Sequence, residues 1–182
     1  MKPPVISAFE PPRRILMGPG PSDVYPQVLS AQAKPTVGHL DPLFIGMMDE
    51  LKQLLQYATL AVSAPGSAGM ETCFVNLLQP GDTVVVCRNG VFGERMRQNV
   101  ERCGGHAIIV DNAWGEPVDP QKVEATLKAN PQARFLAFVH AETSTGALSD
   151  AATLCALARK YGCLSIVDAV TSLGGVELKV DE

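Results

Sequence analysis

The stretch TVVVCRNGVFGERMRQNVERCGGHAIIV, Thr83 to Val110, decides the fold. Its two ends, Val84–Cys87 and Ala107–Val110, are continuous apolar runs, without the alternation of a strand that keeps one wet face. Such runs are the pattern of strands covered on both faces. Between them lies a segment of helical length, Phe92 to Cys103, entered through the turn pair Asn89-Gly90 and left through Gly104-Gly105. A helix joining two doubly covered strands makes a right-handed crossover, so the strands run parallel.

The same alternation extends in both directions. Downstream, WGEPVDP (Trp114–Pro120) is a loop, and Asp119 caps a helix led by Pro120 in DPQKVEATLKAN. RFLAFVH (Arg134–His140) is a strand, DAATLCALARKYG (Asp150–Gly162) a helix, and CLSIVDAV (Cys163–Val170) a strand. Upstream, TLAVSA (Thr59–Ala64) is a short strand candidate, followed by a helix from Ser67 to about Leu78 that QPGD stops. Earlier still, Asp41 and Pro42 open a helix. Its Leu43, Phe44, Met47, Met48, Leu51, Leu54 and Leu55 recur at a helical period and are expected to pack one face. The expected fold is α/β, three layers around a mostly parallel sheet.

Bulk properties bound the function. A chain of 182 residues is one domain or a little more. Net charge is −4 and no basic run occurs, so neither nucleic acid nor an acidic membrane surface is an expected partner. No apolar stretch has transmembrane length. The start, MKPPVISAFEPPRR, lacks a signal-peptide core and reads as an extended Pro-rich arm, so the expected location is cytoplasmic. The five cysteines are odd in number, form no CxxC, and lie in apolar segments. They read as reduced core residues, and His39, His106 and His140 show no metal-ligand spacing.

Ligands of parallel sheets bind beyond the carboxyl ends of the strands, which directs attention to the residues following each one. After TLAVSA, Gly66 permits close backbone approach. Ser67 can cap the next helix, whose first N–H groups favour an anion; a plain capped turn is the alternative. Phe92 stands at the rim of the same crevice, either as core or as a platform for a ring. Glu142, Thr143, Ser144 and Thr145 put a carboxylate and hydroxyls at another strand end. Asp168 closes an apolar strand, where an unpartnered carboxylate is costly. Its partner is either a Lys or Arg of the chain or a cationic ligand nitrogen, and a contact charge pair gains about 4 kcal/mol before desolvation at an effective dielectric near 20. Anion, ring, polar edge and cationic nitrogen together describe a phosphorylated pyridine.

Five stretches in this order, ILMGPGPSDVYPQVL, GSAGMETCFVNLLQPGD, NGVFGERM, AETSTGAL and VDAVTSLGG, resemble class V pyridoxal-phosphate aminotransferases, within them the alanine–glyoxylate and serine–pyruvate (serine–glyoxylate) branch. The resemblance runs from about Ile15 to Glu182. It implies the fold type I large domain, with residues 1–22 as an arm and substrate-side loop and 23–182 as the N-terminal part of the cofactor domain. It also implies a homodimer and pyridoxal 5'-phosphate as cofactor. Gly66, Ser67 and Ala68 match the phosphate turn, Phe92 the stacking position, Thr143 the ring-edge hydroxyl, and Asp168 the partner of the pyridine nitrogen. Gly18 and Gly20 in GPGPS, and Gly38 and His39 in GHLDP, match segments near the substrate. The implied reaction is ping-pong transamination between a small amino acid, alanine or serine, and glyoxylate or pyruvate.

Two departures from the family pattern stand out. The family's Schiff-base lysine lies beyond TSLGG in a motif resembling SGSQK, which this sequence does not reach, and neither Lys160 nor Lys179 has a matching context. The alternative expectation is therefore a non-catalytic fragment with weak phosphate or cofactor binding. In QLLQYATLAVSA, moreover, helix meets strand with no turn residue, whereas connections of about 4–6 residues are usual, so residues are expected to be missing between Tyr57 and Thr59. A dinucleotide-binding domain is disfavoured by the lack of a GxGxxG turn after the first strand.

Overall fold

Thr83–Arg88 forms a strand, β1, buried along Val84–Cys87 and flanked on both sides by parallel neighbours. The structure, a computed structural model, describes residues 24–38, 40–55 and 62–179. By its contacts the chain divides into two units, Met1–Leu60 and Ala61–Glu182. In the first, α1 spans Pro26–Gln32 and α2 spans Pro42–Leu55. Asp41 opens α2 as expected, its Oδ1 accepting the Leu43 N–H at 2.8 Å. The expected apolar face is only partly covered: Phe44 and Met48 are half-buried, while Leu43 and Met47 are exposed.

In the second unit the order is α3 (Gly66–Leu77), β1, α4 (Val91–Arg102), β2 (His106–Asp111), α5 (Pro120–Ala129), β3 (Ala133–Val139), β4 (Ala141–Glu142), β5 (Ala147–Leu148), α6 (Ala151–Lys160) and β6 (Leu164–Asp168). The main sheet runs β2-β1-β3-β6, every pair parallel. β4 and β5 form a separate antiparallel pair just beyond β3.

Alternate residues of each strand feed two cores. Val84, Val86, Phe135, Ala137 and Ile166 meet Met70 and Phe74 of α3 and Met96 and Val100 of α4. Val85, Cys87, Leu136 and Phe138 meet Val123 and Leu127 of α5 and Leu154 and Ala158 of α6. Helices therefore cover both faces, the three-layer arrangement that continuous apolar strands require. Asp119 and Asp150 cap α5 and α6, accepting from Gln121 N at 2.8 Å and Thr153 N at 3.0 Å. Gly104, at φ +76, closes α4 in the left-handed conformation.

The TLAVSA strand is not formed where it is described: Ala64 N–H donates to Val62 O at 2.9 Å, a tight turn in place of a ladder. The remainder of that segment, including Tyr57–Thr59, lies outside the described residues. Among those residues, no helix is long and apolar enough to cross a membrane. The five cysteines are free thiols, and burial pushes Cys87 up to about 12.

Glu94, in the first turn of α4, is held at about 2, below the ordinary 4.5, by hydrogen bonds first from Arg97 and then from Arg88. A carboxyl depressed on folding contributes stability above its unfolded pKa and loses it as pH falls through the folded one. Glu94→Gln is thus expected to unfold at lower urea than the parent at pH 6. That difference shrinks as pH falls from 4.5 to 2, which urea titrations at several pH values would check. A constant difference across that window would contradict the assignment.

Candidate functional site

At the carboxyl ends of β1, β3 and β6 lies a pocket of about 200 Å³. Five residues singled out from the sequence line it: Gly66, Ser67, Phe92, Thr143 and Asp168. Met70 and Val170 complete the wall and carried no signal beyond being apolar.

The first turn of α3 forms one end. The helix starts at Gly66, one residue earlier than expected, with Pro65 as N-cap and no capping side chain. Pro65 O takes the N–H groups of Ala68 and Gly69 at 2.8 and 3.3 Å, so those of Gly66 and Ser67 precede the first intrahelical bonds. A Cβ on Gly66 would lie 3.1 Å from Val170 Cγ2, which marks how closely the opposite wall approaches. Ser67 does not cap the helix, because it sits inside the first turn. Its Oγ instead accepts a hydrogen bond from Arg95 Nη1. Ala68 belongs to the same turn and does not line the pocket.

Arg95 is a residue the sequence reading missed. It follows Phe92 by three on α4, hence on the same face, and its guanidinium carbon stands 5.3 Å from the Phe92 ring centroid. Phe92 is half-buried: it packs against the core shared by α3 and α4 and also borders the pocket. The ring thus fills core on one side and stands at the rim of the pocket on the other.

Of the four polar residues after β3, only Thr143 lines the pocket, and its Oγ1 is hydrogen-bonded to Thr171 Oγ1. Glu142 is buried and turned toward the start of α4. Ser144 Oγ accepts from Val91 N at 2.9 Å, and Thr145 Oγ1 donates to Asn89 O at 3.4 Å.

Asp168 ends β6 half-buried, with Oδ1 accepting the Val170 N–H at 3.0 Å. Among the described residues no Lys or Arg pairs with it. The internal ion pair that would account for this carboxylate is therefore not found there. Lys160 is bonded to Glu124, and neither it nor Lys179 lines the pocket. Gly38 is exposed in the first unit, its carbonyl accepting from Asp41 N at 3.0 Å, while Gly18, Gly20 and His39 lie outside the described residues.

Residues 56–182 match the family model for aminotransferase class-V. The chain belongs to the class-V aminotransferase family. It is similar to alanine–glyoxylate aminotransferase of Rattus norvegicus, 39% identical over 178 residues, covering 94% of this chain and 43% of that protein. It is also similar to (S)-ureidoglycine–glyoxylate transaminase of Bacillus subtilis, at 33% identity with 94% and 42% covered. Among solved structures, alanine–glyoxylate aminotransferase from Nostoc sp. superposes with a TM-score of 0.91 at 40% identity, covering 97% of this chain and 48% of that one. This class-V chain thus spans less than half the length of these three relatives. Enzymes of the class-V family use pyridoxal phosphate, and the α/β architecture with its parallel sheet is that of their large domain.

Proposed function

We propose that the pocket holds pyridoxal phosphate and that the protein transfers an amino group from alanine or serine to glyoxylate or pyruvate. The carrying observation is that Asp168, a carboxylate with no Lys or Arg partner among the described residues, shares one pocket with the Phe92 ring and the uncapped start of α3. The donor set fits the cofactor. Gly66 and Ser67 offer the free N–H groups of the first turn, and Ser67 a hydroxyl, to a phosphate, Ala68 completing that turn, and Arg95 brings positive charge to the same end. Phe92 offers a face to the ring, Thr143 a hydroxyl to its edge, and Asp168 an acceptor for a proton on its nitrogen. When bound, pyridoxal phosphate supplies an electron sink for charge developing at the substrate α-carbon. Asp168 holds the nitrogen proton that makes the sink effective, and Phe92 and Met70 keep water from that wall of the pocket.

Glyoxylate appears in the names of all three relatives, which supports it as the acceptor. Gly18, Gly20, Gly38 and His39 keep the substrate-side role that the family resemblance implies, and a homodimer is the proposed assembly. The five free thiols support a cytoplasmic setting.

The test is an assay of the protein expressed from its complete reading frame, given pyridoxal phosphate, alanine and glyoxylate. Equimolar pyruvate and glycine are expected. Cofactor binding without amino transfer from alanine or serine to either keto acid would leave the non-catalytic alternative standing.

A further inference from the structure

We propose that Glu142 is the positioning residue that sets Phe92 against the cofactor ring, by capping α4 from the turn that also carries Thr143. The inference rests on the reading of Phe92 as a ring platform.

The start of α4 has no local cap: its N-cap is Gly90, which has no side chain. Three successive orphan N–H groups are met instead by residues some fifty positions later. Val91 N donates to Ser144 Oγ at 2.9 Å, Phe92 N to Glu142 Oε2 at 3.2 Å, and Gly93 N to the same oxygen at 3.2 Å. Glu142 Oε1 accepts from Ser144 N at 3.2 Å and Ser144 Oγ at 2.6 Å. Phe92 N, Gly93 N, Ser144 N and Ser144 Oγ all donate to the carboxylate, and Glu142 is 1% exposed. A carboxylate placed at a helix start and met only by donors is well accommodated there.

Close packing specifies the arrangement. A Cβ on Gly90 would stand 2.4 Å from Glu142 Cγ and 2.6 Å from Ser144 Oγ, so the residue before the helix must be glycine for the carboxylate to reach in. Gly90 is extended, at φ 176, so it is space rather than backbone freedom that demands glycine here. Thr143, between the two capping residues, lines the pocket. One short turn thus ties the ring wall and the edge wall of the pocket together, and Glu142 is the link.

The experiment uses the protein from its complete reading frame, pyridoxal phosphate as the probe, and the variants Phe92→Ala, Glu142→Gln and Ser144→Ala. Glutamine keeps the size of the side chain but turns one acceptor into a donor facing other donors. In the cofactor-free protein, Glu142→Gln is expected to speed hydrogen exchange at Phe92 and Gly93 by about tenfold or more, leaving β1 protected. It is expected to weaken pyridoxal phosphate binding by about tenfold and to reduce the circular dichroism induced in the bound cofactor. Ser144→Ala should shift Val91 exchange and the induced signal in the same direction, less strongly. If Phe92→Ala weakens binding and neither capping variant changes exchange or the induced signal, the positioning role is overturned while the platform reading stands. If Phe92→Ala itself changes nothing, both are overturned.

Discussion

Asp168→Asn is expected to leave the fold standing and lower the rate of amino-group transfer by about a thousandfold. That factor is what about 4 kcal/mol amounts to at about 1.4 kcal/mol per decade. Asn retains an acceptor for the Val170 N–H, so the local turn survives. What it removes is the negative charge proposed to face the ring nitrogen. Among the described residues no other side chain is paired with Asp168, so that charge is committed to the pocket rather than to an internal salt bridge. The check is kcat at saturating alanine, glyoxylate and pyridoxal phosphate, with the far-ultraviolet circular dichroism of both proteins compared. Near-normal turnover would remove Asp168 from the chemistry.

Phe74→Ala is expected to cost about 3–5 kcal/mol, as large-to-small changes at fully buried aromatics do. Phe74 is 0% exposed and anchors α3 to the sheet against Val84, Val86 and Phe135. Against a typical total of about 5–15 kcal/mol this is a large share. Val75, its neighbour on the same helix, is 60% exposed, and Val75→Ala should change stability by no more than about 0.5 kcal/mol. Urea unfolding of the two variants separates these values. A loss below about 1 kcal/mol for Phe74→Ala would mean that α3, and with it the proposed phosphate turn, is not held as described.

The sheet was legible because its four strands are covered on both faces, so each is written as a short apolar run between turn residues. Cap chemistry was equally plain: Asp119 with Pro120, and Asp41 with Pro42, stand immediately before the helices they open, whereas Asp150, which caps α6, read as part of its helix. The pocket residues Phe92, Thr143 and Asp168 were legible because a parallel sheet gathers whatever follows its strands at one edge, and Gly66 and Ser67 were legible from the turn chemistry that opens α3. Interactions between distant segments leave no such local trace. Glu142 reads as one more polar residue in a loop, and only the folded chain shows its carboxylate filling the space before α4 that Gly90 leaves open. Arg95 is one of several basic residues on an amphipathic helix until α3 is seen to bring Ser67 against it. The run TLAVSA, Thr59–Ala64, suggested a strand, and in its described part a local hydrogen bond makes a bend instead.

Whether this pocket takes pyridoxal phosphate with Asp168 at its ring nitrogen is open to direct measurement. The quantity to read is the nitrogen-15 NMR shift of pyridoxal phosphate labelled at that nitrogen and bound to the protein at neutral pH. A protonated, pyridinium-like shift that moves to the neutral pyridine position in Asp168→Asn is the expected result. A neutral-pyridine shift in the parent protein, or the same shift in both, would contradict it.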